Sequence, residues 1–599
     1  DYSRSLMMAQ FELKQDFAFI LKGLSLSAML NTTRRSYYDI SRFYNPYYYQ
    51  VTTYDKIRNA YNLGLINETT ATDYLAYNEG QKEVTSTSHV QAILNYNNTF
   101  NKRNAVSGML VFLMDNQVDA NAGDLQTSLP HRNIGVSGRF TYAYDERYFA
   151  EFDFGYNGSE RFYKAKRFGF FPSVGLAWYV SKEKFWKPLS HVISNLKLRA
   201  TYGLVGNDAI GSPSDRFFYL SNVDMNDPDR GAHFGTDYAY RRNGVSISRY
   251  ANEDITWETA AKTNLGLELG LLDKVNIQLD LYRQHRTNIL MKRAYIPYTT
   301  GLSSSPQANV GEAKGKGIDL SVEYQQYFGQ SFWLQARGNF TYATSAFTVY
   351  EEPNYTSRYL SHIGYSLSQQ WGYIAEHLFV DDNEIANTPH QNFGEYHPGD
   401  IKYRDVNGDG QVTTLDQVPI GYPTTPEIVY GFGFSAGYKD FDLSCFFQGL
   451  ARESFWINVN ASAPFVPYYY NDDEKNSGII YQNQLLKAIA DDHWSEDNRN
   501  VYALWPRLSA TTDLLKNNSQ RNTWFMRNGA FLRLKTLEFG YTLPEKMTRR
   551  WHVTKTRFYL SGTNLLTVSG FKLWDIEMGG DGLGYPIQKV MNIGVQISF

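Results

Sequence analysis

The 599-residue chain is 16% aromatic, with 47 Tyr, 37 Phe and 11 Trp, yet its mean hydropathy is -0.46. Its net charge of -3 supplies no broad basic surface for nucleic acid, and its one cysteine, Cys445, excludes an internal disulfide framework. No run of about 18 apolar residues occurs, so no transmembrane helix is predicted. Abundant aromatics in a polar chain fit a membrane barrel, with aromatic girdles outside and polar side chains in the lumen.

The chain starts at Asp1, without Met and without a charged-then-apolar leader. The first clear alternating segment lies near Met8–Lys14. Ile134, Val136, Phe140 and Tyr142 then alternate with Gly135, Ser137, Arg139 and Thr141. Across Asp145-Glu146-Arg147 the alternation resumes with Tyr148, Ala150, Phe152, Phe154 and Tyr156. This predicts a hairpin with one apolar face, whose tyrosines at 142, 144 and 148 sit where an interface belt belongs. The unit repeats at Leu265–Leu281, Ile318–Tyr342 and Tyr430–Phe447, where Cys445 falls on the apolar face as a packing residue. In Phe531–Tyr541 the apolar parity switches near Thr536, which predicts either a β-bulge or a strand rising above the bilayer. Met591, Ile593, Val595, Ile597 and Phe599 form a last apolar row, alternating with Asn592, Gly594, Gln596 and Ser598.

Turns within hairpins are short. Long segments separate the hairpins, notably Val205–Asp254, 345–426 and 451–528. Such lengths are rare in compact soluble domains but ordinary outside an outer-membrane barrel, whose periplasmic turns are short. About 17 strands are predicted. Single-chain bacterial barrels normally have an even number, and an open sheet would leave bare edges in lipid. The expectation is that strands precede Asp1 in a larger protein.

Several segments together resemble the SusC/RagA-type TonB-dependent transporters of the Bacteroidota outer membrane. They are Phe170-Phe171-Pro172-Ser173-Val174 with Trp178, Leu196–Gly203 through Gly206-Asn207, Ile255-Thr256-Trp257-Glu258 and Asn309-Val310-Gly311. Pro398-Gly399-Asp400-Ile401-Lys402-Tyr403 follows, then Tyr430-Gly431-Phe432, Phe446–Gly449, Pro506-Arg507-Leu508 and Leu532-Arg533-Leu534-Lys535. Gly540–Pro544 and Gly562–Leu565 complete the order. The resemblance implies an all-β, antiparallel transmembrane barrel with long extracellular loops, of which residues 1–599 would supply about 17 of 22 strands. The plug domain and first strands would lie upstream. It further implies a multi-pass outer-membrane location and import of oligosaccharides or oligopeptides. The partners implied are a SusD-like surface lipoprotein, the TonB complex, outer-membrane lipid and a dimer of transporter–lipoprotein pairs.

One motif carries site chemistry. Asp405-Val406-Asn407-Gly408-Asp409-Gly410-Gln411-Val412-Thr413-Thr414-Leu415-Asp416, within the 345–426 loop, has calcium-loop spacing. Asp405, Asn407 and Asp409 occupy positions 1, 3 and 5; Gly410 permits the sharp turn; Gln411 offers its carbonyl; Thr413 acts directly or through water; and Asp416 holds position 12. Ca²⁺ is expected before Mg²⁺, because the ligand set is flexible. Asp at position 12 is shorter than the usual Glu and no helix pair flanks the loop, so an Asx-rich turn is the alternative.

Weaker signals remain. His390, Glu395 and His397 lack ligand-like spacing, and His493 near Asp491 and Asp492 has no nucleophile partner, so both read as ordinary loop residues. Tyr47-Tyr48-Tyr49 and Tyr468-Tyr469-Tyr470 offer aromatic faces for a sugar or peptide, or for loop packing and partner contact. No residue set supports catalysis. A passive porin or adhesin, and a barrel enzyme, are the alternatives to the importer.

Overall fold

A computed structural model describes residues 1–122, 125–211, 215–469, 480–549 and 553–599. Seventeen strands form one antiparallel sheet, and no helix among the described residues is long and apolar enough to cross a membrane. In chain order the strands are β1 Tyr2–Asp16, β2 Leu24–Phe43, β3 Ala76–Phe100, β4 Asn104–Asp119, β5 His131–Tyr144 and β6 Tyr148–Ser159. Next come β7 Phe168–Tyr179, β8 Ile193–Asn207, β9 Glu258–Leu271, β10 Val275–Lys292, β11 Gln307–Phe328 and β12 Phe332–Val349. The last are β13 Ile428–Tyr438, β14 Phe441–Ala451, β15 Phe531–Thr542, β16 Lys555–Ser569 and β17 Val590–Ser598.

The chain divides into two compact units. The first comprises Asp1–Val174, Gly203–Thr259 and Leu302–Ala308. In it β1 to β6 pair consecutively, with Met114 opposite Ile134 and Ile134 opposite Gly158. The turn from Asp145 to Arg147 has the expected length. Asp145 and Glu146 both adopt positive φ, 53° and 52°, as a tight turn between right-twisted strands demands. Leu272 and Asp273 repeat this geometry after β9, at 55° and 56°.

The second unit comprises Gly175–Tyr202, Ala260–Gly301 and Asn309–Phe599. In it β11 to β17 pair consecutively. The parity switch in β15 is a β-bulge. Leu534 and Thr536 face Phe447 and Phe446 on β14, and Lys535 is skipped in the register with both neighbouring strands. The extra residue returns Leu537, Phe539 and Tyr541 to the face of Leu532 and Leu534. Without it the upper and lower halves of β15 would present apolar side chains to opposite solvents.

Apolar rows are exposed along one face throughout. Phe140 and Phe152 are 46% and 40% exposed, and Met591 and Ile593 are 76% and 86%. In water such surface would be costly; against hydrocarbon it is the required outer face. The connections alternate as expected. Residues 101–103, 145–147, 272–274 and 439–440 close hairpins, whereas 208–257, 350–427 and 452–530 join them on the other side. The loop predicted from residue 345 begins five residues later, because Ser345 and Ala346 still pair with Gly315 and Lys314 of β11.

Candidate functional site

The inner parity of the wall carries charge. Arg139 of β5 donates to Glu151 of β6 at 2.8 Å. Arg199 meets Asp280 at 2.7 Å and Glu268 at 3.3 Å. Arg557 reaches Asp442 and, at 2.6 Å, Glu538. These side chains alternate with the lipid-facing rows, so they line the polar face, where cross-strand pairs brace the wall and present a hydrophilic surface.

The external loops of the second unit fold into a second core. Tyr373, Leu378, Ile401, Tyr403, Trp505 and Phe525 are all at most 3% exposed. Small ribbons order the strands of chain around it: Gln370–Gly372 with Val418–Ile420, Ala375–Leu378 with Ile401–Tyr403, and Ser454–Trp456 with Met526–Asn528. A polar lattice runs through this core. Asp400, fully buried, accepts from Arg507 at 3.0 Å, from Asn518 Nδ2 at 2.8 Å and from the His397 N–H at 2.8 Å. Burial pushes its carboxyl above the ordinary range, and the three donors oppose that. Gln391 donates to the Ile401 carbonyl and to Asn517 while accepting from the Tyr403 N–H. The Tyr403 hydroxyl donates to the Asn517 carbonyl at 2.7 Å and accepts from Asn522 at 3.0 Å. Burial pushes the Tyr403 phenol up. A lattice hydrogen-bonded in this way holds one loop conformation.

Two ion clusters clamp the loops. Arg533, 1% exposed, leaves β15 to meet Asp575 at 2.6 Å and Glu577 at 3.0 Å, which fixes the 570–589 connection. Glu384 accepts from Lys402 at 2.9 Å, His377 at 2.8 Å and the Val380 N–H at 2.9 Å. Burial alone would raise the Glu384 carboxyl; these three partners outweigh it and hold it at about 2.

The calcium-type loop has a well-defined geometry. Asp416 is fully buried and accepts from Val406, Asn407 and Thr413 N–H groups. Asp405 accepts from Gly408 and Gly410 N–H groups at 2.7 and 2.9 Å. Asn407 and Asp409 accept from Asp409 and Gln411 N–H groups, each at 2.9 Å. Gly408 and Gly410 take φ of 74° and 86°, which suits glycine and lets the Asx turns follow one another. All four side chains thus accept from backbone N–H groups. Their oxygens, with the Gln411 carbonyl, are the set a cation would use.

Tyr47, Tyr48 and Tyr49 are exposed and lead into a ribbon, Tyr49–Asp55 with Ala60–Leu65. Tyr468 and Tyr469 pair opposite Tyr481 and Ile480 in another; Tyr470 lies outside the described residues. His493 lies 3.0 Å from the Ile489 and Ala490 carbonyls through Nδ1, so that nitrogen carries the proton and caps the segment. His397 pairs with Glu395 at 3.0 Å, and His390 accepts from Tyr396 at 3.2 Å. The buried lattice and the Arg533 clamp are what residue-by-residue site reading missed. Their signal was present: Asp400, Arg507 and Arg533 all stand inside the ordered segments quoted above.

A strand-built wall with an apolar outer row, a charged inner row and folded external loops is the architecture of an outer-membrane barrel. The chain belongs to the family "TonB dependent receptor-like, beta-barrel", which matches residues 1–596, and it is an outer-membrane protein that crosses the membrane by strands. It is 27% identical over 493 residues to TonB-dependent receptor P3 of Formosa agariphila, covering 78% of this chain and 45% of that protein. It is 26% identical over 494 residues to TonB-dependent receptor SusC of Bacteroides thetaiotaomicron, covering 79% and 44%. The RagAB peptide transporter structure superposes with a TM-score of 0.65 at 22% identity, over all of this chain and 62% of that one, a likeness of fold. The chain spans about half the length of the curated relatives it matches.

Two measurements check the loop clamps. Arg533→Ala strands two carboxylates near the core and should cost the external core about 3 kcal/mol. Proteolysis should then open the 570–589 segment while heat-modifiable migration of the barrel is retained. Glu384 has a folded pKa below its unfolded value. Its stabilisation is therefore present above about pH 4.5 and lost as pH falls toward about 2. Glu384→Gln should lower loop-core stability at neutral pH by about 1–2 kcal/mol. Thermal unfolding followed by tryptophan fluorescence should then show wild type and variant converging at the acid end.

Proposed function

We propose that the protein of which this chain is the barrel is an energised importer. It takes up oligosaccharides or oligopeptides with a SusD-like surface lipoprotein and draws energy through the TonB complex. The observation that carries this reading is the external core. Loops 350–427 and 452–530 bury aromatic side chains and a hydrogen-bonded polar lattice. A passive pore has no need of so large an ordered mass, whereas a lid that opens and closes over the barrel needs a rigid seat. Family membership and the receptor names of the relatives support the same reading. The paired inner wall supplies a hydrophilic path, and no covalent step is assigned to any residue. The assembly is a pair of such transporter–lipoprotein units, and the Tyr468-Tyr469-Tyr470 cluster supplies its aromatic substrate contact.

The test is uptake by cells lacking the gene, measured separately with candidate oligosaccharides and oligopeptides. Loss of uptake of one class, restored by the gene only when TonB is functional, supports the proposal and names the substrate class. Unchanged uptake of both, or rescue without TonB, sinks it. Tyr468→Ala with Tyr469→Ala and Tyr470→Ala should raise the apparent KM of uptake about 30-fold, at about 1 kcal/mol for each of two of the three rings.

The 405–416 loop is part of the same proposal as a structural calcium site held by Asp405, Asn407, Asp409, Gln411 and Asp416, stiffening the external core without taking part in transport. Chelation with EGTA should speed protease cleavage within 350–427, and readdition of calcium should reverse it. Identical cleavage with and without chelator would remove the metal and leave the Asx turns as the whole explanation.

A further inference from the structure

We infer that the inner wall of the second unit carries an anion seat, centred on Arg337, that takes a carboxylate of the imported oligomer. The seat presupposes the importer reading above and adds the chemistry of the cargo. A cavity of about 110 Å³ opens on the inner parity of β12 to β15. At about 30 Å³ per water, that is room for a charged end group and its hydration, not for a whole oligomer.

Arg337 stands apart from the other arginines of this wall. Arg199 and Arg557 are each braced by two carboxylates. Arg337 has no ion pair and no hydrogen bond from its side chain among the described residues; its contact is with a ring. A carboxylate is within reach of its strand, because Glu323 stands opposite on β11. The guanidinium turns the other way. It crosses Gly433 of β13 and lies 5.0 Å from the centroid of the Phe446 ring on β14. That contact orients the cation and leaves its N–H donors unspent.

The local sequence makes this geometry. A Cβ at Gly431 would come within 2.7 Å of the Phe446 ring, and one at Gly433 within 2.9 Å. The two missing side chains let the ring lie along β13 and leave the guanidinium its way across. The bulge at Lys535 sets Thr536 opposite Phe446, in the same row. Ser435 and Ser444 face each other across β13 and β14, and Gln335 lies opposite Ser435 on β12.

Charge decides the occupant. The cavity is lined by a guanidinium, an amide and three hydroxyls, and by no carboxylate. Among the described residues none of these five side chains is hydrogen-bonded to protein. A fork of N–H donors with hydroxyls around it matches the two oxygens of a carboxylate, whereas a neutral hydroxyl leaves the charge unanswered. Peptide carboxylates and uronic acids share this chemistry.

Height places the seat on the path and not at its mouth. Arg337 stands five residues from Phe332, at the short turn. That is roughly 17 Å along β12 and about 13 Å of height at the usual tilt, half the depth of the apolar band. A cation between low-dielectric walls draws an anion more strongly than one at the open rim.

The experiment measures uptake by deletion cells carrying wild type, Arg337→Gln, Arg337→Lys or Glu323→Gln. The probes are near-isosteric pairs: glutamate-rich oligopeptides with their glutamine counterparts, and oligogalacturonates with their methyl esters, in whichever class wild type imports. Wild type should take up the acidic member with a KM about tenfold below that of the neutral one. Arg337→Gln should abolish this difference and leave the neutral member unchanged. Arg337→Lys should keep the difference within about threefold, because charge persists. Glu323→Gln should leave it intact. Heat-modifiable migration checks that each barrel is folded. Equal uptake of both members by wild type overturns the seat. So does an equal change for both members in Arg337→Gln, the mark of a latch on an acidic side chain of the plug. Loss in Glu323→Gln to match that in Arg337→Gln overturns it too, as the mark of a wall brace. If wild type imports neither class, the importer reading itself falls, and the seat with it.

Discussion

Hydrocarbon offers no hydrogen bonds, so every backbone N–H and C=O at membrane depth must be paired within the wall. That constraint makes register the controlling variable. A slip of one residue would turn every apolar side chain of a strand inward and every charged one outward. The bulge at Lys535 is the clearest consequence. The apolar sequence of β15 is out of phase with itself, and one unpaired residue restores Leu537 and Phe539 to the outer row. The local loss of ladder pairing there costs less than a half-strand facing the wrong medium.

Outside the membrane the constraint reverses. Long connections in water need no internal pairing and would ordinarily stay mobile. Here they are drawn together by a core with its own aromatic interior, through which a hydrogen-bonded polar lattice runs. Asp400 accepts from three donors, and Gln391, Asn517 and Tyr403 close on each other. Arg533 and Asp575 tie this core to a wall strand. The external mass is therefore positioned by the same register that seats the strand.

The wall was legible in the sequence because period-two alternation is a local signal, readable strand by strand. The hairpin at Asp145–Arg147, the final row from Met591, the count of strands and the bulge alternative at Thr536 all follow from it. The external core was legible only as length. Its contacts join residues more than a hundred positions apart, as Asp400 to Asn518 or Gln391 to Asn517, and no periodicity announces such a pair. Asp416 shows the same limit on a smaller scale. Its spacing from Asp405 is readable, whereas its burial and its three backbone donors are not.

The rim is where the two regimes meet, and there neither rule is readable alone. Arg132 follows the outward parity of β5, yet it is charged, which within the apolar band would be an error. At the headgroup boundary it is not: a guanidinium there reaches water rather than acyl chains. A residue that breaks the alternation thus carries information in proportion to its height. Midway along a strand a break marks a bulge, as at Lys535; at the external end it marks the strand leaving the apolar band. Strand register, which fixes height and face together, is what separates the two cases.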